Sequence, residues 1–129
     1  LRLKGSNGVD CRNGRGYSLV LQGQWKAAVA DADEVVRLKP EQARHVYNAA
    51  RIYAQAVGQI EVTDRPTLEQ RLRFELQAVR LVRTALEKLP AAQRAAFWKE
   101  FVAADPAMKP IRRVAAFAQL ANEMPLAAN

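Results

Sequence analysis

A chain of 129 residues, half of them hydrophobic, is long enough for one domain with a core of its own. Its single cysteine, Cys11, excludes an intrachain disulfide, and no apolar run approaches the ~20 residues that a bilayer span needs. The net charge of +7 points to an acidic or polyanionic partner if it points to any.

Twenty-four alanines against nine aromatic residues favour helix over strand, because alanine loses least on entering a helix and small side chains let helices approach closely. Leu1-Arg2-Leu3-Lys4-Gly5 mirrors Val36-Arg37-Leu38-Lys39-Pro40, so residues 1–8 read as the last turn of a preceding repeat followed by a turn at Gly5 to Gly8. Arg12 to Gln22 reads as the first helix, broken by Gly23. Gln24 to Leu38 follows, with Trp25, Ala28, Val29, Ala32, Val35 and Val36 spaced as one buried stripe. Of Asp31, Asp33 and Glu34 on this helix only Asp31 and Glu34 share a face, which reads as a solvated acidic face rather than a metal site. Pro40 stops it.

A third helix spans Glu41 to Val57, with Val46, Ala49, Ala50 and Tyr53 inward and Gly58 at its end. Gln59 to Pro66 is loop-like, and Thr67-Leu68-Glu69-Gln70 reads as a capping box that opens a long helix to Lys88. That helix carries two apolar rows, Leu68, Leu72, Leu76, Val79, Val82 and Leu86, then Phe74, Ala78, Leu81 and Ala85. This pattern predicts packing on both sides. A fifth helix, Ala91 to Ala104, ends at Asp105-Pro106, and a sixth covers Ile111 to Asn122, with a frayed tail from Met124. Phe97, Trp98 and Phe101 are expected to pack on Ile111, Val114 and Phe117, the alternative being an exposed apolar patch for docking.

No pattern carries catalysis. A thiol nucleophile needs a base, and Cys11 and the lone His45 fall on different helices. No cysteine–histidine spacing fits a metal, so neither metal nor cofactor is expected. Gly14 and Gly16 lack the lysine–serine pair of a phosphate loop. Arginines and lysines of the second half are interrupted by Glu69, Glu75, Glu87 and Glu100 and are not interleaved with stacking aromatics. Specific nucleic-acid recognition is therefore not expected, and any polyanion binding is weak and salt-sensitive.

The spacing of small residues and prolines says more. Gly16 and Ala50 are 34 residues apart, and Ala28 precedes Pro40 by 12 residues, as Ala78 precedes Pro90. Two degenerate copies can be written: Arg12, Arg15, Gly16, Leu19, Ala28, Ala32, Pro40; and Val46, Ala49, Ala50, Tyr53, Ala78, Val82, Pro90. This pattern resembles the tetratricopeptide helix-pair repeat. The resemblance covers residues 9–90, with sixteen extra residues inserted in the second copy near 59–70. It implies an all-α, right-handed solenoid of about three antiparallel helix pairs, with residues 91–122 as a terminal cap and 123–129 as a tail. It is similar to the irregular final repeats of large bacterial multidomain proteins, some with kinase or peptidase domains. A bacterial source also fits the arginine excess, 14 against 6 lysines. The chain begins with Leu and shows no signal peptide, so it is expected to be a piece of a longer protein of unknown targeting, with the cytoplasm as the expected compartment.

In that family the first helix of each pair lines a concave groove that binds other chains. Here those positions hold Asn13 and Tyr17 from one repeat and Arg44, Asn48, Arg51 and Gln55 from the next. The last four step by three or four residues and form one polar stripe. Arginine and asparagine suit a peptide main chain plus a carboxylate. The resemblance aligns Asn48 with one asparagine of the carboxylate-gripping subfamily. Asn13 and Tyr17 replace the lysine and asparagine of the preceding repeat, so the full clamp is not expected. The expected function is a non-catalytic module binding a protein or peptide, acidic segments favoured and membranes excluded. Two alternatives stay open: a spacer or self-assembly unit whose groove is filled, and a polyanion binder.

Overall fold

Residues 4–128 are described by the computed structural model, with side chains described for residues 8–124. Their regular structure is all helical, with no strand among the described residues. Helix α1 spans Lys4–Leu21, α2 Trp25–Arg37, α3 Ala43–Gln59 and α4 Arg65–Glu87. Helix α5, Ala91–Phe97, widens into a single π turn, Trp98–Val102. A 3₁₀ segment, Pro106–Ile111, precedes α6, Ala115–Ala128.

The chain reverses between α1 and α2 at Gly23, whose φ of +83° is left-handed. The Gly23 N–H donates to Val20 O at 3.1 Å and the Gln24 N–H to Leu19 O at 2.9 Å. Those two bonds close a Schellman C-cap, where only glycine fits without strain. Helix α2 then runs back along α1, so Gly16 meets Ala28 and Asp31 while Arg12 and Arg15 reach Asp31. Asp31 is thus not part of a solvated face. It is buried, with Arg15 Nε 2.8 Å and Nη2 2.5 Å from its oxygens. Helices α3 and α4 are also antiparallel, though joined by an extended loop at residues 60–64: Tyr53 packs edge-on against Phe74, and Val46 lies toward Leu81 and Lys88.

Helices α1 and α3 lie side by side in the same direction. Asp10 meets Arg44 and His45, Asn13 bonds the His45 carbonyl, Tyr17 lies under Arg51 and Gly16 faces Ile52. Each pair is separated by 32 to 36 residues, so the spacing of the sequence reappears as a spatial register. Gly16 is where this contact is tightest. A Cβ there would sit 2.7 Å from Ile52 Cδ1 and 3.3 Å from the Ala28 carbonyl oxygen. The core runs through Val20, Ala28, Ala32, Val35, Ala50, Ile52, Tyr53, Ala78, Val82 and Ala85.

Several boundaries differ from expectation. The start of the chain is helical from Lys4, so the turn at Gly5 to Gly8 is not formed, and the mirrored segment at 1–3 lies outside the described residues. Helix α4 is opened by Asp64, not Thr67: Asp64 Oδ1 accepts the Thr67 N–H at 2.9 Å, and Thr67 Oγ1 accepts the Asp64 N–H at 3.1 Å. Thr67 is therefore the N3 partner, and Pro66 falls inside the first turn, where its missing N–H costs nothing. The front of α4 is not covered on both sides, because Leu68, Leu72 and Leu76 are exposed. Contacts to α5 and α6 are made from its back half, where Arg83 pairs with Glu123 at 3.1 Å and Arg94 donates to the Leu86 carbonyl at 2.8 Å. Pro106 and Pro110 hold the segment after Asp105 as a 3₁₀ turn, so α6 starts at Ala115 rather than Ile111. It stays helical to Ala128, where a frayed tail was expected.

Candidate functional site

The polar stripe of α3 meets the end of the chain. The π turn and the 3₁₀ segment lie across α3, on the face opposite Val46, Ala49 and Tyr53. Asp105 is the tie point. Its Oδ1 caps the 3₁₀ segment through the Ala107 N–H at 2.9 Å, and its Oδ2 lies 2.6 Å from the Tyr47 hydroxyl and 2.9 Å from Arg51 Nε. The Tyr47 hydroxyl also sits 3.0 Å from the Phe101 carbonyl. It carries one proton, and the carboxylate is the stronger acceptor. Burial, then the bond to Asp105, pushes the Tyr47 phenol well above its ordinary range. Next along α3, Gln55 Nε2 donates to the Ala107 carbonyl at 3.0 Å, and Gly58 leaves room for Pro110, which a Cβ would approach to 3.2 Å.

The six residues singled out from the sequence separate into three groups. Asn13 is buried rather than outward, and its amide donates to the His45 carbonyl at 3.1 Å. Arg51 and Gln55 hold the C-terminal segment, and Arg51 also stacks over Tyr17 with its guanidinium carbon 4.3 Å from the ring centre. Such a cation over a partly desolvated ring is worth about 0.5–2 kcal/mol. Arg44 and Asn48 line a cleft, with Asn48 half-buried. Arg44 is exposed, with Nη2 a loose 3.9 Å from Asp10 Oδ2.

Those two residues form one wall of a cleft of about 450 Å³. Its other wall is aromatic: Phe97 stands edge-on to Tyr47 at 5.6 Å, and Phe101 lies 5.2 Å from Phe97. Phe101 is 55% exposed, so the expectation that all three aromatics of this helix pack inward fails for it. Trp98 does pack inward, 5.2 Å from Phe117. Glu100, Ala104 and Asp105 complete the rim. A second hollow of about 270 Å³ shares Asn48 and Arg51 and continues past Tyr17 toward Asp10 and Asn13. The two hollows make a furrow over the α1–α3 face.

Phe101 was read from the sequence with Phe97 and Trp98 as core, and Tyr47 and Asp105 were not singled out as site residues. Tyr47 lies between stripe positions, and the aromatic cluster resembles any core segment. Asp105 did leave a signal: an aspartate directly before a proline is the pattern of a cap opening a helical turn. Chemically the furrow offers an exposed guanidinium, a side-chain amide, a protonated phenol and an aromatic wall. Cys11 is exposed on α1 whereas His45 is buried on α3. Among the described residues no group of three or more His, Cys, Asp or Glu is placed to hold a metal ion, and no helix is long and apolar enough to cross a membrane. No protein-family model matches the chain, and comparison with curated proteins and with solved structures finds no match.

Proposed function

We propose that this chain is a tetratricopeptide-like interaction module, a right-handed stack of helix pairs that binds a peptide segment in the furrow over α1 and α3. The observation that carries the reading is the cleft in which exposed Arg44 and half-buried Asn48 face Phe97 and Phe101. The parallel register of α1 and α3, offset by one repeat length, supports the stacking. The asparagine amide recognises a main chain, the guanidinium a carboxylate, and the aromatic wall an apolar side chain. The partner is thus a peptide carrying an acidic residue beside an apolar one. The surface works by packing and hydrogen bonds, with no chemical step.

A second reading is favoured by two specific bonds, Arg51 to Asp105 and Gln55 to Ala107. They make the segment from 98 to 111 a cap that covers one end of the furrow. Capping and recognition coexist, since the cap supplies the aromatic wall.

The test is selection of binders from a random-peptide display library, followed by calorimetry. The reading expects acidic–apolar peptides whose affinity falls about tenfold, about 1.4 kcal/mol, in Asn48→Ala and again in Phe101→Ala. Selected peptides that bind both variants as tightly as the parent protein overturn it.

A further inference from the structure

On the opposite face of α3 lies a cleft of about 400 Å³, between the C-terminal ends of α2 and α4. Its floor is aliphatic, formed by Val35, Val46, Ala49 and Leu81, all buried. Its rim carries Lys39, Arg80 and Lys88, and no carboxylate lines it. Among the described residues none of these three cations lies within ion-pair distance of an acid. Arg80 donates to the Gln77 amide oxygen. We propose that this cleft binds an aliphatic anion, of which a medium-chain fatty-acid carboxylate is the type: the chain on the floor, the head group among the three cations.

The backbone adds a separate pointer. Lys39 has a φ of +51°, the one left-handed non-glycine among the described residues. It stands at the position after α2 where glycine normally closes a helix, and its N–H donates to Val36 O at 3.1 Å. Pro40 follows and has no N–H for the second bond of that motif. A side chain held in this conformation is disfavoured, and such outliers cluster at ligand sites. Lysines at helix C-termini do counter the negative dipole end. That end carries about half a charge, so each lysine leaves a surplus, and Arg80, lying mid-helix, has no such role. The volume falls within the ~300–1,000 Å³ of small-molecule sites.

The probe is sodium decanoate, titrated into the whole chain by calorimetry with acetate and decanol as companions. Saturable decanoate binding, with acetate and decanol at least tenfold weaker, is the expected result. Lys39→Gln with Lys88→Gln should weaken decanoate at least tenfold, and Val36→Trp, at the edge of the floor, should do the same by filling it. Lys39→Gly separates ligand from scaffold roles: it relieves the left-handed backbone, so the melting temperature holds or rises while affinity falls. Acetate binding as tightly as decanoate, decanol binding as tightly, or decanoate affinity unmoved by the paired lysine variant each overturns the proposal. These variants lie outside the furrow, so peptide binding there is expected to be unchanged.

Discussion

At the scale of single residues, Asp105 concentrates the contacts between α3 and the C-terminal segment. It pairs with Arg51, accepts from Tyr47 and caps the 3₁₀ segment. Asp105→Ala leaves a part-buried guanidinium beside an unbonded phenol. The expected cost is about 2–4 kcal/mol, read by urea denaturation. Tyr47 and Tyr53 give a second prediction. Burial first, then bonds to Asp105 and Asp33, raises both phenols above the ordinary value of 10.0. A folded value above the unfolded one contributes stability that is fully present below about pH 10 and lost as pH climbs through the raised folded range. The melting temperature should therefore fall above pH 10, with phenolate absorbance from these two rings appearing only as the chain unfolds. Phenolate absorbance from both rings in the still-folded protein would contradict the buried bonds.

At the scale of elements, glycines in one helix have opposite roles. Gly16 is the contact point of α1 with α2 and α3, and Gly14 faces open space. Gly16→Ala should destabilise by about 1–3 kcal/mol through overpacking, and Gly14→Ala should stabilise by about 0.5–1 kcal/mol through helix propensity. Urea midpoints of the two variants shifting in the same direction would contradict the packing. Asp64→Ala should lower the melting temperature by removing the α4 cap, and the low carboxyl value that Thr67 gives Asp64 means the cap's contribution is lost as pH falls through that value. Helix identity was legible here because alanine content and three–four spacing act locally. Boundaries were less so. The cap of α4 was displaced by three residues because Asp64 and Thr67 both belong to its reciprocal pair. The π turn and the 3₁₀ segment left no periodic trace, since tertiary contacts and prolines set them. The exposure of Leu68, Leu72 and Leu76 depends on where α5 and α6 stop, which periodicity along α4 does not encode.

At the scale of the whole molecule, the spacing of Gly16 and Ala50 corresponds to the register of α1 on α3. The candidate furrow follows from that register. Arg44, Asn48, Arg51 and Gln55 were legible as one stripe because helical spacing puts them on one face. What the stripe meets was not legible: residues 97–111 reach it across a sequence separation of about fifty residues, through individual bonds such as Gln55 to Ala107. Asn13 was misjudged as outward because the α1–α3 contact buries it. The arrangement divides the stripe into an inner half, Arg51 and Gln55, that holds residues 105–107 and an outer half, Arg44 and Asn48, that lines the cleft. The most direct measurement of that division is amide chemical-shift mapping of the isotope-labelled chain with a display-selected acidic–apolar peptide. The account predicts shifts concentrated at Tyr17, Arg44, Asn48, Phe97 and Phe101. Saturable shifts that leave these residues unmoved, or a peptide signature confined to another face, would contradict it.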